Sequence, residues 1–234
     1  MKKLVLSIFI FLLCADVSIG QRRLVEKSFS MSGDNKIRLD LQFGDMISVK
    51  SWNKDEVLFK AVIEINQGKL NEALVLDFSQ RNGRLDIESD YNEDLLKTGK
   101  REDCPDKYSQ FSWGDDDNYY VVCSHITYQI WVPQNADIGV ETISGDIELV
   151  DLNGPIHAKS ISGFVDLSWP QGESADIRIK TISGEAYTNL DNLFFKNKKA
   201  YTPLVGYELK GKIGNGGPLV VLESISGNIY LREK

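Results

Sequence analysis

Thr142-Ile143-Ser144-Gly145 is the first of four nearly identical phrases that decide the fold of this chain. The other three are Ser160-Ile161-Ser162-Gly163, Thr181-Ile182-Ser183-Gly184 and Ser224-Ile225-Ser226-Gly227. Their glycines recur at steps of 18, 21 and 43 residues, which is typical of a chain that passes repeatedly through the same turn. The repeats therefore predict a rod of stacked β-strands rather than a fold built around a catalytic pocket.

Apolar and polar residues alternate on both sides of each phrase, which is the period of a half-buried strand. The alternation slips by one residue inside the phrase, so we expect the backbone to bend there, where glycine tolerates a corner. We also expect the isoleucines of stacked strands to form an apolar column inside the core. The structural residues of the repeat are Ile143, Gly145, Ile161, Gly163, Ile182, Gly184, Ile225 and Gly227.

The serine that precedes the glycine of each phrase would form a column of hydroxyl groups beside the isoleucines. These residues are Ser144, Ser162, Ser183 and Ser226. One interpretation is a row of nucleophiles or a sugar-binding stripe. The other, which the sequence favours, is a small polar residue whose hydroxyl group serves the corner. The long third step also suggests a degenerate copy, for which Leu204-Val205-Gly206 is the candidate.

The N-terminal half is rich in strand patterns but lacks clear repeats. Alternating apolar residues run from Val57 to Ile65, and Asn82-Gly83 separates two further alternating segments. An Asn-Gly pair in that position predicts a hairpin on a two-residue turn. Residues 92–118 form a polar loop insertion before the next strand pattern, and loops of that length are usually functional or mobile. The predicted fold is therefore all-β, with an antiparallel N-terminal part.

The repeats resemble a known bacterial envelope family. Residues 141–149, 159–167 and 223–231 are similar to the T-hydrophobic-S-G-D-hydrophobic phrases of the "putative adhesin" β-strand-repeat domain of unknown function, which is related to the toastrack domains. Val132-Pro133 and Gly44-Asp45-Met46 resemble its leading segments, so the resemblance covers about residues 37–231. It implies a right-handed parallel β-solenoid or β-prism. It implies no catalytic residue and no cofactor.

The first twenty residues predict a secretory signal peptide. Lys2 and Lys3 precede an apolar run over 4–13, and Ser18-Ile19-Gly20 supplies small residues for cleavage. The run is too short to span a membrane, and no later segment reaches the required length. We therefore expect residues 1–20 to be removed, and 21–234 to form a single domain in the periplasm or outside the bacterial cell.

Charge restricts the partners of the mature chain. The sequence carries 27 lysines and arginines against 34 aspartates and glutamates, a net charge of −7. This balance argues against nucleic acid and anionic membranes, and leaves proteins or cell-envelope polysaccharides as partners. Because the last repeat ends at Leu231, we also expect an open strand edge there through which the chain self-associates.

Two cysteines remain after the predicted cleavage. Cys104 and Cys123 form a disulfide in one interpretation, which suits an oxidising compartment. In the other interpretation they are unpaired thiols, one of them buried in a strand. The pattern leaves both open.

The loop insertion is the candidate ligand region. It contains Trp113 and the acidic run Asp115-Asp116-Asp117. Oxygen-rich clusters hold calcium, but these residues lack the alternate spacing and closing glutamate of a calcium loop. A solvated acidic run is the simpler interpretation. The aromatic rings of the loop either stack on sugars or pack against the body of the fold.

The sequence favours a non-enzymatic exported envelope protein whose solenoid is a scaffold for macromolecular interaction or adhesion. The repeats, the export signal and the lack of a catalytic motif support this hypothesis. The alternative is a polysaccharide-binding or polysaccharide-cleaving β-helix protein. Enzymes of that class need paired carboxylates, or a bound cation, that converge on one groove.

Overall fold

The computed structural model describes residues 22–33, 35–104, 110–113, 120–195 and 207–234. Within these ranges the chain is all-β, as predicted, with one short helix, α1 (Glu93–Leu96). The strands are β1 (Arg23–Ser30), β2 (Lys36–Leu41), β3 (Met46–Trp52), β4 (Glu56–Ile65), β5 (Leu74–Arg81), β6 (Arg84–Tyr91), β7 (Gln110–Trp113), β8 (Tyr120–Pro133), β9 (Asp137–Thr142), β10 (Asp146–Val150), β11 (Ile156–Ser160), β12 (Val165–Trp169), β13 (Ala175–Thr181), β14 (Ala186–Thr188), β15 (Leu193–Phe195), β16 (Tyr207–Ile213), β17 (Leu219–Ser224) and β18 (Ile229–Glu233). The predicted signal peptide and Leu204-Val205-Gly206 lie outside the described residues.

The described strands form two mixed sheets. The first has the order β1-β4-β8-β3-β10-β12-β18-β14, with β7 added on β8. The second has the order β15-β16-β13-β17-β11-β9-β2-β6-β5. Each repeat contributes the strand before its phrase to the second sheet and the strand after it to the first. The phrase itself therefore forms the corner between the sheets.

The repeats pair in parallel and in register. Ile147 of β10 lies opposite Val165 of β12, and Val165 lies opposite Ile229 of β18. In the second sheet, Val140 of β9 lies opposite Ala158 of β11 in the same way. These side chains are fully buried, so the core lies between the sheets and is filled by alternate residues of each strand.

The spatial order of the repeats differs from their order along the chain. The last strands, β17 and β18, lie between the β11–β12 repeat and the β13–β14 repeat. At the other end, β2 lies between β6 and β9 in the second sheet, and β3 lies between β8 and β10 in the first. The four repeats are therefore stacked, but not in the order in which they follow one another along the chain.

The same order corrects the predicted strand edge near Leu231. β18 pairs with β12 on one side and with β14 on the other, so it is an interior strand. The edge of the first sheet is instead the three-residue β14. Among the described residues the predicted open edge at Leu231 is therefore absent, and self-association itself stays a prediction.

Antiparallel pairs cover both ends of the parallel stack. β4 pairs with β8 and β1 pairs with β4, while β16 pairs with β13. The predicted hairpin is present, because β5 and β6 pair across Asn82-Gly83. The backbone φ angles of 49° at Asn82 and 77° at Gly83 are those of a type I′ turn. The N-terminal part is thus mixed, because β2 and β3 pair in parallel with β6 and β8.

The isoleucines of the phrases do not lie in the core. Ile143, Ile161 and Ile182 expose 42%, 36% and 42% of their surface, and Ile225 is half-buried. The strand alternation continues inward through the first residue of each phrase, so the isoleucine that follows points outward. The bend then turns the chain inward at the glycine. The inward positions are taken by Thr142, Ser160, Thr181 and Ser224, which are all buried.

Candidate functional site at the repeat corner

Glycine is required at the corner because neighbouring repeats approach each other closely there. A Cβ atom on Gly163 would lie 2.0 Å from the carbonyl oxygen of Gly145. The corresponding distance is 2.1 Å from Gly227 to Gly163, and 1.9 Å from Gly184 to Gly227. Real Cβ atoms do not approach oxygen so closely. Each glycine therefore allows the next repeat to stack on it.

Buried hydroxyl groups link the corners of adjacent repeats. The Oγ atom of Ser160 donates a hydrogen bond to the carbonyl oxygen of Gly145 at 2.8 Å. Ser224 donates in the same way to Gly163 at 2.9 Å, and Thr181 donates to Gly227 at 3.3 Å. Sequence reasoning missed these residues, although Thr or Ser opens every phrase. It assigned the corner role to the serines that precede the glycines, and that assignment is wrong.

The serines that precede the glycines are exposed beside the isoleucines. They are Ser144, Ser162, Ser183 and Ser226. The backbone ladder continues through this part of the corner, because the amide of Ser162 donates to Ile143 at 2.9 Å and that of Ser226 to Ile161 at 3.0 Å. The amide of Ser183 donates to Ile225 at 2.8 Å. The corner is thus a regular outward-facing surface.

Four isoleucines line this surface in the spatial order Ile143, Ile161, Ile225 and Ile182, and we call them the isoleucine stripe. Adjacent strands lie about 4.8 Å apart, so the stripe is about 14 Å long. Large apolar side chains grouped on a surface are typical of an interaction site, whereas single ones are ordinary.

A groove of about 200 Å³ lies at the start of the stripe. Its lining is Asp40, Gln42, Glu141, Thr142, Ile143, Lys159 and Ile161. Thr142 is 4% exposed, and its hydroxyl oxygen has no hydrogen-bond partner among the described residues. The groove therefore combines aliphatic surface, two carboxylates and one ammonium group.

The two carboxylates of the groove lie on neighbouring parallel strands. Asp40 of β2 is directly opposite Glu141 of β9, and the Nζ atom of Lys159 lies 3.7 Å from a carboxylate oxygen of Glu141. Partial burial raises the pKa of Asp40, and the negative charges of Glu141 and Asp90 raise it further, against a lowering hydrogen bond with Gln42. The groove thus favours positive charge near Asp40.

Acidic residues continue from the groove across the second sheet. Asp77, Glu88, Asp40 and Glu141 occupy one register position on β5, β6, β2 and β9, and we call them the acidic row. Like charges directly opposite each other destabilise a sheet. Beyond Glu141 the signs alternate through Lys159, Glu223, Lys180 and Glu208. Unbalanced negative charge is therefore confined to one side of the groove.

The predicted ligand loop is only partly described. Trp113 ends β7, where it lies opposite Tyr120 of β8. Asp115, Asp116 and Asp117 lie outside the described residues, so the calcium and sugar hypotheses stay predictions. The described part of the chain contains no group of three His, Cys, Asp or Glu side chains placed to hold a metal ion.

Cys104 and Cys123 are joined by a disulfide with a Cα–Cα distance of 5.6 Å. The buried side chain of Asn66 lies beside this bond. Its Oδ1 atom accepts from the amide of Cys123 at 3.0 Å, and its Nδ2 atom donates to the carbonyl of Val121 at 3.0 Å. Asn66 adopts a left-handed φ of 47°, and no sequence pattern marked it.

Comparisons with known proteins identify the fold. No family model and no curated protein sequence matches the chain. A crystal structure described as a putative cell adhesion protein from Clostridium sporogenes matches with a TM-score of 0.51 and 11% identity, covering 92% of this chain and 100% of that one. A putative adhesin from Bacteroides fragilis matches with a TM-score of 0.30 and 9% identity, covering 91% and 97%.

In the ranges that the structure describes, no helix has the length and apolar character needed to cross a membrane.

The Clostridium sporogenes protein is matched over its whole length, so the likeness concerns the complete two-sheet arrangement. The chain therefore has the fold of that protein, which is described as a putative cell adhesion protein, and the resemblance to the putative adhesins is confirmed at the level of the fold.

Proposed function

We propose that this protein is an exported, non-enzymatic component of the bacterial cell envelope that holds another macromolecule, as an adhesin does. The observation that carries the proposal is the isoleucine stripe. Four copies of one corner each place an isoleucine outward, although the fold needs only the buried hydroxyl group and the glycine of that corner. An apolar surface repeated in this way suits the binding of an extended partner.

The scaffold in this proposal is a right-handed parallel β-solenoid or β-prism. Parallel ladders between equivalent strands of the repeats support it. Right-handed connection is the general rule for parallel strands joined by a crossover. The likeness to a protein described as a cell adhesion protein supports the adhesion role, and the signal peptide predicted over 1–20 supports export.

A second candidate function is the cleavage or binding of polysaccharide. Asp40 and Glu141 favour it, because glycosidases use two carboxyl groups of which one has a raised pKa. In the adhesion proposal these carboxylates bind a partner and catalyse nothing. The two functions differ in turnover.

Surface retention tests the adhesion proposal. The purified protein, labelled with a fluorophore, is applied to immobilised bacterial envelope preparations and to surfaces coated with extracellular-matrix protein. We expect saturable retention that is lost in the Ile143→Ser/Ile161→Ser variant and kept in Leu24→Ser, since Leu24 is 74% exposed on β1, away from the corner. Retention that is absent from every surface, or unchanged in the double variant, contradicts the proposal.

Turnover tests the alternative. The same protein is incubated with a panel of acidic and neutral polysaccharides, and new reducing ends are measured. Product formation that disappears in Asp40→Asn would establish cleavage and displace the adhesion proposal. We expect no product from either protein.

A further inference from the structure

We propose that the groove at Asp40, Glu141, Ile143 and Ile161 is the docking site for a partner polypeptide segment in which a basic stretch adjoins an apolar stretch. This inference rests on the proposed function and names the partner chemistry of that surface. It follows from the way in which the acidic row and the isoleucine stripe meet.

The acidic row and the isoleucine stripe run in the same direction, across the strands. The row occupies β5, β6, β2 and β9, whereas the stripe follows β9, β11, β17 and β13. They overlap only at β9, where Glu141 and Ile143 are two residues apart. The groove lies at this junction, since its lining includes members of both sets. A ligand that spans the groove therefore meets negative charge on one side and aliphatic surface on the other.

The dimensions fit an extended chain. Row and stripe each cross four strands, which is about 14 Å, and an extended peptide advances about 3.3 Å per residue. About four residues on each side therefore span the row and the stripe, and alternate side chains of each stretch face the surface. A segment of about nine residues covers both sets.

The negative charge of the acidic row favours a positively charged partner. Four carboxylates lie in register, and like charges directly opposite each other repel. Partial burial raises the pKa of Asp40, and the negative charge of Glu141 raises it further. Lysine or arginine side chains of a partner would neutralise it. Lys159 faces Glu141 and extends over the groove, and beyond it the charges alternate, so an acidic partner gains no comparable surface.

The hydroxyl group of Thr142 sets the first repeat apart from the other three. In the other three repeats the equivalent hydroxyl donates to a glycine carbonyl of the adjacent repeat. Thr142 lines the groove, and its buried oxygen has no partner among the described residues. Its side chain points inward and is 4% exposed, so a ligand in the groove contacts the residue without reaching that oxygen.

A peptide titration tests the proposal. The probe is the fluorescein-labelled peptide Lys-Lys-Lys-Lys-Gly-Ile-Val-Ile-Val, and binding to the purified protein is followed by fluorescence anisotropy. Two further probes replace the lysines by glutamates, or the four apolar residues by serines. We expect saturable binding of the first probe and affinity at least about tenfold weaker for each of the others, because each has lost half of its matching surface.

Two pairs of variants locate the site. Asp40→Asn/Glu141→Gln removes both charges, and Ile143→Ser/Ile161→Ser removes the apolar contact; each is expected to weaken binding by about tenfold or more. The charge-matched control Glu72→Gln/Glu102→Gln alters two exposed carboxylates outside both strands, and Leu24→Ser is the apolar control. Both controls are expected to stay within about twofold of the unmodified protein. Thermal unfolding of every variant verifies that the fold is kept.

Three outcomes overturn the proposal: no binding of the basic probe, equal binding of the acidic probe, or equal losses in the controls and the groove variants. Failure here is distinguishable from failure of the adhesion role. Protein that is retained on envelope or matrix surfaces through the isoleucines, but does not prefer the basic probe, keeps the adhesion role and rejects this partner. Retention that depends on the carboxylate pair and weakens with salt is the supporting result.

Discussion

The hydroxyl group of Ser160 donates a 2.8 Å hydrogen bond to the carbonyl oxygen of Gly145 in the adjacent repeat. The Cβ position of Gly163, three residues further along, lies 2.0 Å from the same oxygen. One carbonyl group therefore explains both ends of the phrase. The first residue must donate to it, and the last must have no side chain that would collide with it.

Removal of this hydroxyl group is expected to destabilise the protein. Ser160→Ala leaves the carbonyl of Gly145 buried without that donor, which typically costs about 1 to 2 kcal/mol. Urea unfolding followed by circular dichroism measures the loss. Ser162→Ala, at the exposed serine that precedes Gly163, is the control and should change stability by less than about 0.5 kcal/mol. Equal effects of the two substitutions would contradict the assigned roles.

Gly163→Ala is expected to cost more than the loss of the hydroxyl group. The new methyl group would meet backbone, which cannot move aside as a side chain can, so we expect about 3 kcal/mol or failure to fold. Gly172→Ala is a suitable control because nothing lies within 4 Å of the added Cβ atom. Its left-handed φ of 81° carries only a cost of about 1 kcal/mol. Melting temperatures in the opposite order would exclude the close-approach explanation.

The disulfide is expected to stabilise the fold through the unfolded chain. Cys104 and Cys123 are 19 residues apart, and a closed loop of that size is worth about 3 kcal/mol in the chain-entropy model. Reductant should therefore lower the urea midpoint of the unmodified protein. It should leave the midpoint of Cys104→Ser/Cys123→Ser unchanged. An unmodified protein that is insensitive to reductant would show that the bond does not contribute.

Asp40→Asn is expected to raise stability at neutral pH and to have little effect in acid. The pKa of this carboxyl is raised in the folded state, chiefly by burial, so its ionised form is disfavoured by folding. Stability is thus lost as pH rises from the ordinary aspartate pKa of 3.8 through the folded value, and asparagine avoids that loss. Melting temperatures at acid and neutral pH measure it, with the exposed Asp55→Asn as control. A gain that is equal at both pH values would contradict this cause.

Alkaline pH is expected to unfold the protein. Burial raises the pKa of Tyr91 to about 12, and it also raises that of Tyr128. Above pH 10 the unfolded chain releases phenol protons that the folded chain keeps, so stability falls as pH rises towards the folded values. Among the described tyrosines, absorbance at alkaline pH should show two phenols that ionise later than the exposed ones. Tyr128→Phe should show one, at a neutral-pH cost of about 1 kcal/mol for its lost hydrogen bond to Phe43.

Local patterns predicted which segments are strands and which residues match between repeats. The strands on both sides of each phrase follow from period-two alternation, and the Asn82-Gly83 hairpin follows from turn chemistry. The outward direction of Ile143 did not follow. A slip of one residue can be absorbed on either side of a bend, and apolar character favoured the wrong side. The continuous alternation from Val140 to Thr142 was the better signal.

Strand order and the groove could not be predicted from local patterns. Equivalent strands of four similar repeats can pair in several orders, and only packing over the whole chain selects one. The acidic row joins Asp77, Glu88, Asp40 and Glu141, which come from three separate parts of the sequence. Its register depends on those long-range pairings. The groove depends on the pairing of Asp40 with Glu141, which no local pattern predicts.

The position of β17 and β18 has a consequence for how the polypeptide acquires its structure. Among the described residues, β14 pairs only with β18, and β13 reaches the rest of the second sheet only through β17. Residues 175–188 therefore join the rest of both sheets only through β17 and β18, which follow them in the chain. Assembly cannot proceed as a zipper from one end. Shortening the chain before Leu219 would remove the two strands that connect β13 and β14 to the rest of the sheets.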